Sequence, residues 1–212
     1  MGFLGDALRI SPTFTSNDWS LLSQSDPTDW VRAVAVVRDR LEGRFLKFVD
    51  SWIEDPFSGF IVLAVDSLLA ETIQQFRTGA TNGSGKSEKY IKAFLAGPRF
   101  QRDFDEDARA QFFTDIRCGL LHQGEAKAMW LVRRAQASML RKAPGGDGYI
   151  IDVPRFHRAV TLSLEDYYED LVTPSQQKLR ANLWKKMDHI CRIRTARGLV
   201  YEEANEANAS AT

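Results

Sequence analysis

Arg117 and His122 stand five residues apart in the stretch Asp115-Ile116-Arg117-Cys118-Gly119-Leu120-Leu121-His122-Gln123-Gly124-Glu125. An imidazole titrates near neutral pH, so it can give or take a proton there. A planar guanidinium can bind two oxygens of one phosphoryl group at once. The pair therefore suits proton transfer at a bound phosphate. Two plainer readings use the same letters. Arg117 can form an ordinary salt bridge with Asp115 or Glu125, and His122 can be a helix-end cation at the negative end of the dipole. Arg-x4-His is a short pattern, so its surroundings must carry any claim.

Residues five apart on a regular helix differ by about 140° around its axis, at 3.6 residues per turn. Arg117 and His122 thus do not share one narrow face. Either the helix ends near Gly124 and lets His122 swing, or a second copy of the chain completes the site. The helix itself opens at Asp103, Asp105, Glu106 and Asp107, whose charges suit a positive first turn, and runs through Phe112, Phe113, Ile116, Leu120 and Leu121. Before it, Asp26-Pro27-Thr28-Asp29 marks a helix start. Trp30, Val34, Val37, Leu41, Phe45, Phe48 and Trp52 then recur at steps of three and four, which predicts one apolar stripe over about six turns. Asp55-Pro56 repeats the start signal. The helix from Phe57 to about Arg77 is apolar nearly all round, which predicts a place in the middle of a bundle. Glu71 and Gln74 interrupt it. A carboxylate there needs a partner, and an Arg is the natural one.

The remaining chain is punctuated by turns. Gly79 to Ser87 contains Gly85-Lys86-Ser87, but a phosphate loop needs Gly at position 80, where Ala80 stands, and a strand where a helix precedes. It reads as a linker. A short helix is expected over Ser87 to Leu95, ended by Gly97-Pro98. Trp130-Leu131-Val132 and Tyr149 to Val153 read as two strands of a small β-hairpin, with Pro144 to Gly148 as the turn. Ser163 and Asp166 read as the start of another helix, and Thr173-Pro174-Ser175-Gln176 as the start of the last. The fold expected is all-α (mainly α): an antiparallel helical bundle with a hairpin inserted at about 129–154. Residues 1–25 read as an arm, 26–197 as the helical domain, and 198–212 as a flexible tail.

Composition excludes several classes. With 28 basic and 28 acidic residues the formal charge is +0, so this is neither a generic polycation nor an acidic tail protein. Two cysteines, Cys118 and Cys191, are too few for a disulfide scaffold and fit a reducing cytosol. The spacing of Cys118/His122 and of His189/Cys191 gives no persuasive zinc set, so no metal or cofactor is expected. The first residues lack the pattern of a signal peptide. Phe57 to Leu69 is interrupted by Ser58, Asp66 and Ser67, so it reads as a buried helix and no membrane partner is expected. Lys178, Arg180, Lys185, Lys186, Arg192, Arg194 and Arg197 face a single acid, Asp188. They are either a solvated helix face or an RNA-backbone footprint, with Trp184 either stacking on a base or in the core. Arg133 and Arg134 are a second candidate phosphate contact.

The wording Arg-Cys-Gly-Leu-Leu-His-Gln-Gly, late on a helix of a helical bundle, resembles the signature of the HEPN superfamily. That superfamily comprises helical domains of prokaryotic toxins, abortive-infection proteins and CRISPR-associated ribonucleases. The order of helices from about Asp26 to Ile193 is similar too. The resemblance implies a metal-independent endoribonuclease in which the RNA 2′-hydroxyl attacks its own phosphate, leaving a 2′,3′-cyclic phosphate. Arg117 would stabilise the phosphoryl charge and His122 would move the proton. Cys118, Gln123 and Glu71 would support them, and Arg133, Arg134, Lys185, Lys186 and Arg192 would contact RNA. The implied assembly is a cytoplasmic homodimer with two motifs across one cleft, acting as a toxin or in phage defence. An antitoxin or other regulatory partner would fit such a role. The alternative is a catalytically inactive HEPN-like dimer that binds RNA or nucleotide, or scaffolds a partner. Many members carry Asn, Asp or His after the motif Arg, where this chain has Cys118. Some toxins carry a modifiable Tyr where this chain has Gly124, so silencing by that route is not implied.

Overall fold

A computed structural model describes residues 8–127, 130–146 and 148–192. The expected tail at 198–212 lies outside the described residues, as do Ile193, Arg194 and Arg197. The protein is mainly helical with one small sheet. Its contacts divide it into two compact units. The described part of one comprises 8–44, 76–81 and 170–192, and the other comprises 45–75 and 82–169.

The first unit contains α1 (Ser16–Ser20), α2 (Asp29–Leu41) and α9 (Gln177–Cys191). Part of the expected arm is therefore ordered. Thr15 and Asp18 form a reciprocal capping box at the start of α1, and Trp19 is buried. The indole of Trp19 donates to Asp188 Oδ1 at 2.8 Å, and its ring lies 4.7 Å from that of Trp184. Trp30 completes the cluster at 5.3 Å from Trp184. Trp184 thus sits among core aromatics.

The second unit contains α3 (Lys47–Trp52), most of α4 (Gly59–Thr78), α5 (Ser87–Leu95), α6 (Glu106–Gln111), α7 (Cys118–Gln123) and α8 (Val153–Val172). It also holds β1 (Leu131–Arg133), β2 (Leu140–Lys142) and β3 (Tyr149–Asp152). Phe94, Phe100, Phe104, Phe112 and Phe156 pack ring to ring at its centre. The strands do not form the expected hairpin. β1 and β3 pair in parallel, and β2, which was not anticipated, joins β3 antiparallel, giving the order β1-β3-β2. Every residue of β3 is buried, so its apolar run is that of a central strand.

Three other expectations change. The start predicted at Ser163 does not exist. Asp152 caps α8 eleven residues earlier by accepting the Arg155 amide at 3.0 Å, and Ser163 is buried in mid-helix. The long stripe from Trp30 to Trp52 breaks at a π-helical turn, Glu42–Leu46. The wider turn takes in an extra residue, so Leu46 and Val49 become buried while Phe48 and Trp52 are 45% and 44% exposed. Finally, α4 is not buried all round. Val62, Leu63, Leu69, Ala70 and Ile73 face the core, whereas Phe60, Ile61 and Leu68 are exposed, and Phe57 just before the helix is 93% exposed. By length and composition α4 is apolar enough to cross a membrane, which the reading of Phe57 to Leu69 did not allow. Its inner face nevertheless carries the buried Asp66, which is bonded to His157 within the protein.

Candidate functional site

The motif lies on one continuous helical run, Glu106 to Gln123, whose middle is a π-helical turn, Phe112–Arg117. Asp105 starts the run, its carboxylate accepting the Ala108 amide at 2.8 Å. Gly124 ends it in the left-handed region at φ 68°, as a residue without Cβ does most readily. The chain then doubles back, and the Lys127 amide donates to the Asp115 carbonyl at 2.9 Å. Gly119 makes that return possible, because a Cβ there would stand 2.4 Å from the Glu125 carbonyl oxygen. Gly119→Ala is therefore expected to cost about 1–3 kcal/mol through overpacking. Urea unfolding of that variant is the measurement, and a change within 0.5 kcal/mol would be ~zero on this scale and contradict the close approach.

Arg117 is the last residue of the π turn. Its Nη2 donates to Glu71 Oε2 on α4 at 2.9 Å and reaches Ser87 Oγ at 3.4 Å. The Ser87 hydroxyl in turn donates to Glu71 Oε1 at 2.8 Å, and Gln75 Nε2 approaches the same oxygen at 3.3 Å. The side chains of Arg117 and Glu71 are 18% and 13% exposed. The pairing of Glu71 with Arg117 is thus observed, in place of a bridge to Asp115 or Glu125. Arg117 Nε is buried without a hydrogen-bond partner, and the guanidinium lies 5.9 Å from the Phe113 ring centre. Ser87 belonged to the network but not to the sequence expectation, which read it only as a helix start.

His122 is exposed in the last turn of α7 and makes no hydrogen bond or ion pair among the described residues. Gln123 is exposed beside it, and Cys118 is a half-buried free thiol. The contacts therefore join Arg117 to Glu71 and Ser87, and no hydrogen bond joins Arg117 to His122 among the described residues.

The expected RNA contacts divide. Arg133, Lys185 and Arg192 are exposed. Arg134 is directed inward: its guanidinium donates to the Ile53 carbonyl, to the Asp55 carbonyl at 2.6 Å and to Ser58 Oγ at 2.8 Å. Lys186 is buried, and burial, aided by the charge of Arg40, holds its ammonium below the usual lysine range. Cys191 is also buried, which pushes its thiol up to about 12 and leaves it inert as a nucleophile.

A second cluster escaped the sequence reading. His157 on α8 is buried between two carboxylates, with Nδ1 2.9 Å from Asp66 Oδ1 and Nε2 3.0 Å from Asp50 Oδ1. Burial lowers the imidazole pKa, but the hydrogen bonds and charges of Asp66 and Asp50 outweigh it and push it up to about 9. Both ring nitrogens face acceptors, so the geometry calls for the doubly protonated ring. Asp66 is held above the usual carboxylate range, chiefly by burial, against the opposing pull of His157. The three residues lie on three different helices, α3, α4 and α8, so no periodicity could have linked them. No family model, curated protein or solved structure matches the chain.

Proposed function

We propose that this chain is a metal-independent endoribonuclease of the HEPN type, with Arg117 holding the scissile phosphate and His122 serving as general acid or base. The observation that carries the reading is the pinned Arg117: Glu71 and Ser87 fix one edge of its guanidinium, and five residues later the same helical run presents the exposed imidazole of His122. A guanidinium held by protein partners costs less to order at a phosphate than a free one. The missing half of the site is supplied by a second copy. Phe48, Trp52, Phe57, Phe60, Ile61 and Leu68 are exposed apolar side chains that such an association could cover. The proposed setting is cytoplasmic, as a toxin or phage-defence effector.

One observation favours the alternative. Arg117 Nη2 is already engaged by Glu71, as it would be in an inactive HEPN-like module that binds RNA or scaffolds a partner. The deciding experiment uses labelled single-stranded RNA in EDTA. The active enzyme is expected to cut, leaving 2′,3′-cyclic phosphate ends, and His122→Ala is expected to lose about 100-fold or more of that rate, the scale of one general acid–base group. Because His122 is exposed, the variant should unfold like the parent. Equal cutting by both proteins would remove the proposal, and RNA binding without cutting in both would establish the alternative.

A further inference from the structure

A concentration of positive charge lies outside the motif. In the second unit a cavity of about 430 Å³ is lined by Arg99, Arg102, Arg155 and Arg158. Its apolar floor includes Met139 and Leu162, and Ser138 adds a hydroxyl. Asp103 is the acidic residue on its wall. A chain of formal charge +0 has thus placed four arginines around one small hollow.

The walls are built by core packing. On α8, Arg155, Arg158 and Leu162 follow the three- and four-residue steps of one helix face. Between them Phe156 turns the other way into the aromatic core. Opposite, Phe100 and Phe104 are buried in that core, which turns Arg99 and Arg102 outward from the segment between α5 and α6. Arg99 is fixed by two hydrogen bonds to Asp166, at 2.8 and 2.7 Å. Arg155 is oriented by one bond, from Nε to the Gln136 carbonyl at 2.8 Å. Arg102 and Arg158 make no ion pair or hydrogen bond among the described residues.

The accounting leaves a surplus. Asp166 answers Arg99, and Asp103 can answer one more. At least two guanidinium groups remain for a ligand, with fork geometry suited to phosphate oxygens. We infer that this cavity binds a small organic phosphomonoester, such as a nucleotide or a sugar phosphate, with the phosphate between Arg155, Arg158 and Arg102 and the organic body over Met139 and Leu162. The floor argues for an organic body in addition to the phosphate, and the volume falls in the range of small-molecule sites, about 300–1,000 Å³. This inference does not depend on the ribonuclease reading, because none of its residues is Arg117, His122 or Glu71.

Calorimetric titration of the full chain at low salt tests it, with AMP and ribose 5-phosphate as probes. Saturable one-to-one binding is expected, and adenosine should bind at least about tenfold more weakly, since it lacks the charge-assisted bonds. Arg158→Gln removes no hydrogen bond within the described chain, so it should keep the fold, and it should weaken AMP about tenfold. Arg155→Gln/Arg158→Gln should weaken it about 100-fold. Lys89→Gln, an exposed change on α5 outside the cavity lining, should leave binding unchanged. Failure of both probes to bind, equal binding of adenosine, or unaltered affinity in Arg158→Gln would each overturn the assignment. So would competition only by an RNA strand lacking terminal phosphates, which would make the surface a strand contact. Absence of RNA cleavage by the parent chain, with AMP binding retained, would count against the ribonuclease reading alone.

Discussion

His157→Ala is expected to lower stability by about 3–5 kcal/mol, the usual cost of removing one member of a buried ion pair. The side chain of His157 is 7% exposed and that of Asp66 is 0% exposed. Removing the imidazole leaves a buried carboxylate whose second oxygen, Oδ2, already has no partner. Urea unfolding at pH 6 reads the loss, and a change of under ~1 kcal/mol would show that the cluster is not held as described. Asp66→Leu combined with His157→Leu should recover much of it, because a well-packed apolar pair replaces the desolvated charges.

The same cluster fixes a pH dependence. The folded imidazole titrates at about 9, above the ordinary value of 6.5. Below pH 6.5 both folded and unfolded chains hold the proton, and the contribution is fully present. As pH rises from 6.5 to about 9 the unfolded chain releases the proton first, and the stability is lost. The shift corresponds to about 3 kcal/mol. Asp66, also raised, acts in the same direction. Denaturation at pH 6 and at pH 9.5 should therefore show a decline in the parent that is absent in His157→Ala. Parallel declines in the two proteins would assign the effect to other groups.

Glu71→Ala is expected to be of similar size, about 3–5 kcal/mol, because it strands the Arg117 guanidinium in a site where Nε already lacks a partner. Arg117→Ala should cost less, since Glu71 would retain the Ser87 hydroxyl and Gln75. A double-mutant cycle with urea unfolding separates the pair from its surroundings. Equal costs for the two single variants would mean that Ser87 and Gln75 do not support the carboxylate. This bears on function directly. Lost cleavage in Arg117→Ala mixes chemistry with folding, whereas the exposed His122 gives a clean answer.

Much of the helical layout was legible because its signals are local. The acidic run at 103–107 does open α6, with Asp105 as its cap, Gly97-Pro98 follows the end of α5, and Gly124 closes α7. The partner of Arg117 could be guessed because a carboxylate on an apolar helix must be answered by something. The rest depended on information that a linear pattern does not carry. Phe48 and Trp52 fit the stripe of α2, but a π turn between them and Leu41 moved them to the surface. Leu140–Lys142 is too short and too basic to signal a strand, and only pairing with Ile150 and Ile151 makes it one. Asp50, Asp66 and His157 are ordinary polar letters on three helices, and the four arginines of the cavity come from separate stretches that meet only through the packing of Phe100, Phe104 and Phe156.

The wide turn at Phe112–Arg117 makes chain length, more than composition, the constraint on this part of the molecule. Exchanges that keep the number of residues can leave Arg117 opposite Glu71. Loss of any one residue there would tighten the spiral and swing every later side chain by about 100°, one residue's share of a helical turn. Arg117 would then leave its carboxylate just as Gly119 left the returning chain. Insertions and deletions between Ala108 and Gly119 should therefore be far less tolerated than substitutions.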